Sequence, residues 1–101
     1  MEQVRFLVRD IAARYPKLDV LINNAGVFMN KRQLSADGFE MTFAVNHLAP
    51  FLLTCELLPL LRDSHARVIT VSSMVHSNVH MDFDNLNTEK RFDGLQRVCS
   101  I

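Results

Sequence analysis

Two short unbroken apolar runs, Val20-Leu21-Ile22 and Val68-Ile69-Thr70-Val71, constrain this chain more than any other feature. Each follows a segment of helical period. The first gives way to the polar turn Asn23-Asn24-Ala25-Gly26 and the second to Ser72-Ser73. A strand that reads as continuously apolar, without alternation, is one covered on both faces, as parallel strands joined through helices are. Ahead of the first run, Val4, Leu7, Val8, Ile11 and Tyr15 recur at helical spacing with Arg5, Arg9, Asp10 and Arg14 between them, and Pro16 stops the helix. Between the runs, a loop from Val27 to Gln33 leads into a long helix, with Ser35 or Asp37 as its cap and a body from Phe39 to about Arg62. Phe39, Phe43, His47, Pro50 and Phe51 share one stripe of it, and Pro50 and Pro59 predict kinks or a break. Beyond Met74 the chain turns polar and irregular, with a short helix expected near Thr88.

Helix, strand, helix, strand is the order of an open α/β sheet with crossover connections. Two strands cannot complete such a sheet, so residues 1–101 are expected to form a single, partial domain. With 49% hydrophobic residues the chain can build a modest core, which argues against wholesale disorder. Eleven basic residues balance eleven acidic ones without any basic tract, so nucleic acid and anionic membrane are not expected as partners. The most apolar stretch, Leu48 to Leu61, carries Thr54 and Glu56 and is too short for a membrane span. No secretory signal is visible at Met1 to Arg5. Together with only two cysteines and no Asn-x-Ser/Thr sequon, this leads us to expect a reducing, cytoplasmic setting. His76 and His80 lie four apart with only Asp82 as a further donor, so no metal site is expected. Cys55 is expected to be a small buried residue on the apolar face of the long helix, and Cys99 to be exposed near the terminus.

Leu18-Asp19-Val20-Leu21-Ile22-Asn23-Asn24-Ala25-Gly26 resembles a signature of the short-chain dehydrogenase/reductase family. Two more matches follow in the family's order. Phe43-Ala44-Val45-Asn46-His47-Leu48 with Phe51-Leu52-Leu53-Thr54 is similar to the asparagine-bearing helix, and Arg67 to Ser73 to the strand that delivers the catalytic serine. The tail, Asp82 to Asn87 with Glu89 to Gly94, is similar to the retinol-dehydrogenase-like branch. The resemblance implies a Rossmann-like fold, a doubly wound parallel sheet in three layers, of which this chain holds an incomplete central portion. It also implies hydride transfer between NAD or NADP and a small carbonyl or alcohol, here a lipophilic or retinoid-like one.

Residue by residue, the resemblance places Asn24, Ala25 and Gly26 beside the cofactor's adenosine ribose and Val71 and Ser72 on its nicotinamide side. Ser73 would hydrogen-bond the reacting oxygen, and the Asn46 backbone carbonyl would hold a water of the proton relay. The Asn46 side chain would satisfy a kinked helix, and Asn23 would tie strands together. The family's Tyr-x-x-x-Lys acid/base is missing: the only tyrosine is Tyr15, with Asp19 four residues on, and the aligned position falls near Val98. The glycine-rich cofactor turn is missing as well, since Gly26, Gly38 and Gly94 lie far apart. The chain is therefore expected to be inactive alone. The alternatives are a truncated form that pairs with a full-length relative through the 39–61 helix, or an unstable remnant.

Overall fold

The computed structural model describes residues 1–94, so the expectations placed on Val98, Cys99 and the chain end lie outside the described residues. The chain divides into two compact units. The first joins Met1–Asn24 to Ala49–Val71; the second joins Ala25–Leu48 to the chain from Ser72 onward.

The first unit is α/β. Helix α1 spans Glu2–Arg14, with Glu2 in its first turn and Arg14 in its last, each at the end where its charge suits the helix dipole. Asp10 and Arg14 pair at 2.9 Å one turn apart. Strands β1, Val20–Asn23, and β2, Arg67–Thr70, pair in parallel with Val20 beside Arg67 and Asn23 beside Thr70. The ladder is extended at both ends, where the Arg67 N–H donates to Asp19 O and the Val71 N–H to Asn23 O. Helix α3, Ala49–Asp63, packs on α1. Val8, Leu57 and Leu61 form the core, with Ile11, Leu18, Leu21, Leu53, Leu60 and Ala66 packed around them.

The strands are parallel as expected, but they are not buried. In β1 only Leu21 and Asn23 turn inward, and every residue of β2 is exposed. Two strands have apolar cover on the Leu21 side alone, so the other face stays open among the described residues. The inward stripe of α1 is also narrower than its spacing suggests, because Leu7 and Tyr15 are exposed.

Helix α3 ends in a Schellman motif. The Ala66 N–H reaches back to Leu61 O and the His65 N–H to Arg62 O, with His65 at φ +51° in the position that favours glycine. Ser64 Oγ accepts the Leu18 N–H at 3.0 Å, tying this helix end to the approach of β1.

The long helix starts later than the sequence suggests. Helix α2, Met41–Phe43, continues through a π-helical turn, Ala44–Leu48, into α3. Its cap is neither Ser35 nor Asp37 but the buried Glu40, whose carboxylate accepts the N–H groups of Thr42 (2.8 Å) and Phe43 (2.9 Å). Ser35 to Gly38 instead form a tight turn, with Gly38 at φ +83° and an antiparallel bridge between Leu34 and Glu40. Phe43 and His47 stack at 5.3 Å across the π turn. Pro59 lies inside α3 without ending it. Cys55 is exposed and not buried, because Leu57 and Leu61 set the inward direction and a residue two positions from Leu57 faces nearly the opposite way. Met41–Asp63 counts 23 residues, longer than the Leu48 to Leu61 stretch, and is long and apolar enough to cross a membrane by length and composition. Only 17% of its most apolar window is buried in the structure.

The tail is more ordered in kind than its composition implies, with 3₁₀ turns at Met74–Asn78 and Phe83–Asn85. No helix begins at Thr88, whose φ of +54° is incompatible with one.

Candidate functional site

The residues that the sequence singles out divide between the units. In the first, Asn23 is a brace. Its carbonyl accepts the Val71 N–H at 3.0 Å, and its side-chain Nδ2 donates to Thr54 Oγ1 of α3 at 3.1 Å. The carboxyl end of β1 is thereby fixed both to its neighbouring strand and to a helix. Asn24 and Val71 follow the paired residues Asn23 and Thr70 at that same end, and both are exposed.

In the second unit, Asn46 grips the turn that follows β1. Its Oδ1 accepts the Val27 N–H at 2.7 Å and its Nδ2 donates to the Val27 carbonyl at 2.9 Å. The amide thus spends its acceptor and one donor on a single backbone residue, so the side chain satisfies the loop and not its own helix. Asn46 sits inside the π turn, and Pro50 follows four residues later. Proline has no N–H, so the Asn46 carbonyl cannot receive the i+4 bond of a regular helix.

Gly26 lies beside this clamp. A Cβ there would meet Asn46 Oδ1 at 3.6 Å, an ordinary contact, and the backbone is not in the left-handed region. Neither strain nor crowding from the described chain requires glycine at 26. Ala25 and Gly26 are exposed, so the turn presents nearly bare backbone.

Ser73 is exposed and caps the Met74–Asn78 turn, its Oγ accepting the Val75 N–H at 3.4 Å. The Nδ1 of His76 contacts the Ser73 carbonyl. The Ser73 hydroxyl keeps its proton to donate. Among the described residues its hydrogen bonds stay within its own turn, and Ser72 beside it is exposed. Tyr15 is the C-cap of α1, in the first unit. His76 and His80 belong to no metal-ligating cluster among the described residues.

Three residues with a part in this arrangement escape a reading of sequence patterns: Arg32, Glu40 and Asn87. Asn87 accepts the Glu40 N–H at 2.6 Å and donates to Gly38 O at 3.1 Å. Arg32 donates to the Asn87 carbonyl from both Nη2 (3.0 Å) and Nε (3.2 Å). The one signal is for Asn87, since asparagine recurs where irregular backbone needs side-chain partners; Arg32 and Glu40 carry none.

Comparison with known proteins gives this arrangement its place. The profile of the short chain dehydrogenase family matches residues 1–83. The chain belongs to the short-chain dehydrogenase family. It is 44% identical over 94 residues to retinol dehydrogenase 14 of Homo sapiens, covering 92% of this chain and 28% of that protein. Among solved structures, an uncharacterized protein from Mycobacterium paratuberculosis superposes with a TM-score of 0.72 at 38% identity, over 92% of this chain and 34% of its own. A protein from Escherichia coli CFT073, assigned to the short chain dehydrogenases and complexed with NADPH, superposes with a TM-score of 0.60 at 26% identity, over 97% of this chain and 38% of its own. The fold is thus part of a Rossmann-like sheet, and the chain spans less than a third of the curated relative it matches.

Proposed function

We propose that this chain forms the central portion of an NAD(P)-dependent oxidoreductase site acting on a carbonyl or alcohol, of the lipophilic, retinoid-like class suggested by its relative. The carrying observation is the pair of hydrogen bonds between the Asn46 amide and the Val27 backbone, beside which Gly26 lies as open backbone that nothing within the described chain requires to be glycine. Bare backbone of this kind fits close approach of a flat or sugar-bearing ligand. On this reading Asn24, Ala25 and Gly26 lie against the cofactor's ribose, and Val71 and Ser72 flank its nicotinamide. When bound, the cofactor would give a hydride to a carbonyl or take one from an alcohol.

The chain's own residues then hold the substrate oxygen and its proton. The Ser73 hydroxyl donates to the reacting oxygen, since accepting the Val75 N–H leaves its own proton available. The Asn46 carbonyl, which Pro50 denies the i+4 bond of a regular helix, is read as the acceptor for a water of the proton relay. The chain's one tyrosine, Tyr15, caps the end of α1 and has Asp19, not lysine, four residues on, so it does not match the group that would exchange the proton. Turnover is therefore expected only when that group comes from elsewhere. The test is a ¹H–¹⁵N spectrum of the chain with and without excess NADPH. Shifts at Gly26, Val71 and Ser72 support the reading, and a spectrum unmoved at all three overturns it.

A second reading rests on Phe51, Cys55 and Leu58, which lie exposed along α3. A chain that pairs with a full-length relative would cover this face. Co-expression with such a relative followed by size-exclusion chromatography supports that if a mixed complex forms at micromolar concentration, and counts against it if none does. A reducing, cytoplasmic setting belongs to the same proposal.

A further inference from the structure

The second unit contains a closed ring of contacts that sequence patterns do not disclose. From Asn46 the amide grips Val27. The loop from Val27 runs on to Arg32, whose guanidinium donates to the Asn87 carbonyl through two nitrogens and to Thr88 Oγ1 at 3.3 Å. The Asn87 side chain holds the Glu40 N–H at 2.6 Å and the Gly38 carbonyl at 3.1 Å. The Glu40 carboxylate caps Thr42 and Phe43, and its carbonyl accepts the Ala44 N–H at 2.8 Å, which leads back along the helix to Asn46.

Two features show that the closure is enforced. Thr88, a β-branched residue, is held at φ +54° with only 7% exposure, a conformation that persists where neighbours over-determine it. Gly94 approaches the Met29 carbonyl so closely that a Cβ would collide with it, which pins the middle of the same loop.

We propose that Asn87 is a positioning residue for Asn46. By holding the backbone N–H of Glu40, the cap of the long helix, and accepting Arg32 through its carbonyl at the far end of the Val27 loop, it fixes both ends of the Asn46–Val27 clamp. The segment that follows Ser73 thus sets the geometry of the turn at Gly26. Its meaning for cofactor binding rests on the function proposed above, whereas the coupling itself does not.

The experiment is amide hydrogen exchange by NMR on the full ¹⁵N-labelled chain, without ligand. In Asn87→Ala, the Val27 amide is expected to exchange about tenfold faster, the equivalent of one lost hydrogen bond at a remote site. The Val71 amide, bonded to Asn23 in the other unit, should be unchanged. Asn87→Asp keeps an acceptor for the Glu40 N–H but loses the donor to Gly38 O, and is expected to slow Val27 exchange relative to Asn87→Ala without restoring the native rate. Arg32→Gln leaves the Asn87 side chain in place but removes the two-nitrogen grip, and should also speed Val27 exchange. Acceleration confined to Glu40, with Val27 unmoved in both Asn87→Ala and Arg32→Gln, overturns the proposal. So does equal acceleration of Val27 and Val71, or a native Val27 amide as unprotected as an exposed loop. Titration with NADPH reads the cofactor proposal separately, because an unresponsive spectrum removes that reading while the exchange result stands.

Discussion

Leu57 and Leu58 are adjacent in α3 and identical in chemistry, yet Leu57 is 1% exposed and Leu58 46% exposed. Replacing each by alanine therefore isolates the helix orientation from helix propensity, which changes equally in both. Leu57 sits in the core with Val8 and Leu61, so Leu57→Ala removes buried methyl groups and leaves a cavity, at a cost of about 3 kcal/mol. Leu58 has already kept half its surface in water, so Leu58→Ala should cost about 0.5–1 kcal/mol. The difference, about 2 kcal/mol, corresponds to midpoints separated by about 8–16 °C in a unit of this size. Thermal and urea unfolding followed by circular dichroism measures both. Midpoints within about 3 °C of each other would refute the packing of α1 on α3 described above.

His65→Gly should stabilise the chain by about 0.5–1 kcal/mol, since glycine occupies the left-handed end of α3 without strain; a lower urea midpoint would contradict the Schellman geometry. Thr42→Val runs against the usual penalty for exchanging these residues. The Thr42 hydroxyl is fully buried without a hydrogen-bond partner among the described residues, so its removal should be neutral or stabilise by about 1 kcal/mol in the same assay. Glu40→Ala removes the cap of α2 and leaves the N–H groups of Thr42 and Phe43 without their acceptor, for a loss of about 2 kcal/mol. Gly94→Ala places a methyl against the Met29 carbonyl and should cost about 1–3 kcal/mol, seen as faster proteolysis of the Val27 to Gln33 loop.

The strands and the first helix were legible because their periods are local properties: Val20-Leu21-Ile22 and Val68 to Val71 carry β-type runs wherever they sit, and Pro16 ends a helix regardless of context. Their exposure was not legible, since whether a strand is covered depends on what else is present to cover it. The cap of the long helix was misplaced for a related reason. Ser35 and Asp37 are better cap residues than glutamate, but Gly38 turns the chain between them and the helix, and the Asn87 side chain arrives from far along the sequence to favour a start at Glu40. Cys55 misled because an apolar helix offers no contrast by which to choose its buried side. At the candidate site, Asn46 stood out by resemblance alone. Its grip on Val27 is a side-chain-to-loop contact that no periodicity encodes.

The first unit is written in the chain in two separated pieces, with β1 completed by Asn24 and its partner strand not begun until Arg67. A parallel pair cannot close through a hairpin, so β1 gains β2 as a neighbour only once the intervening segment and all of α3 exist. During synthesis the α1–β1 segment emerges with its apolar residues uncovered and must wait for Leu57 and Leu61. Closing so long a loop puts an entropic barrier ahead of any sheet hydrogen bond, which makes docking of α3 on α1 the natural first step and strand pairing the last. Ribosome-bound chains that end before Leu57 should therefore remain open and be handed to chaperones, whereas those that extend past Val71 can close the unit.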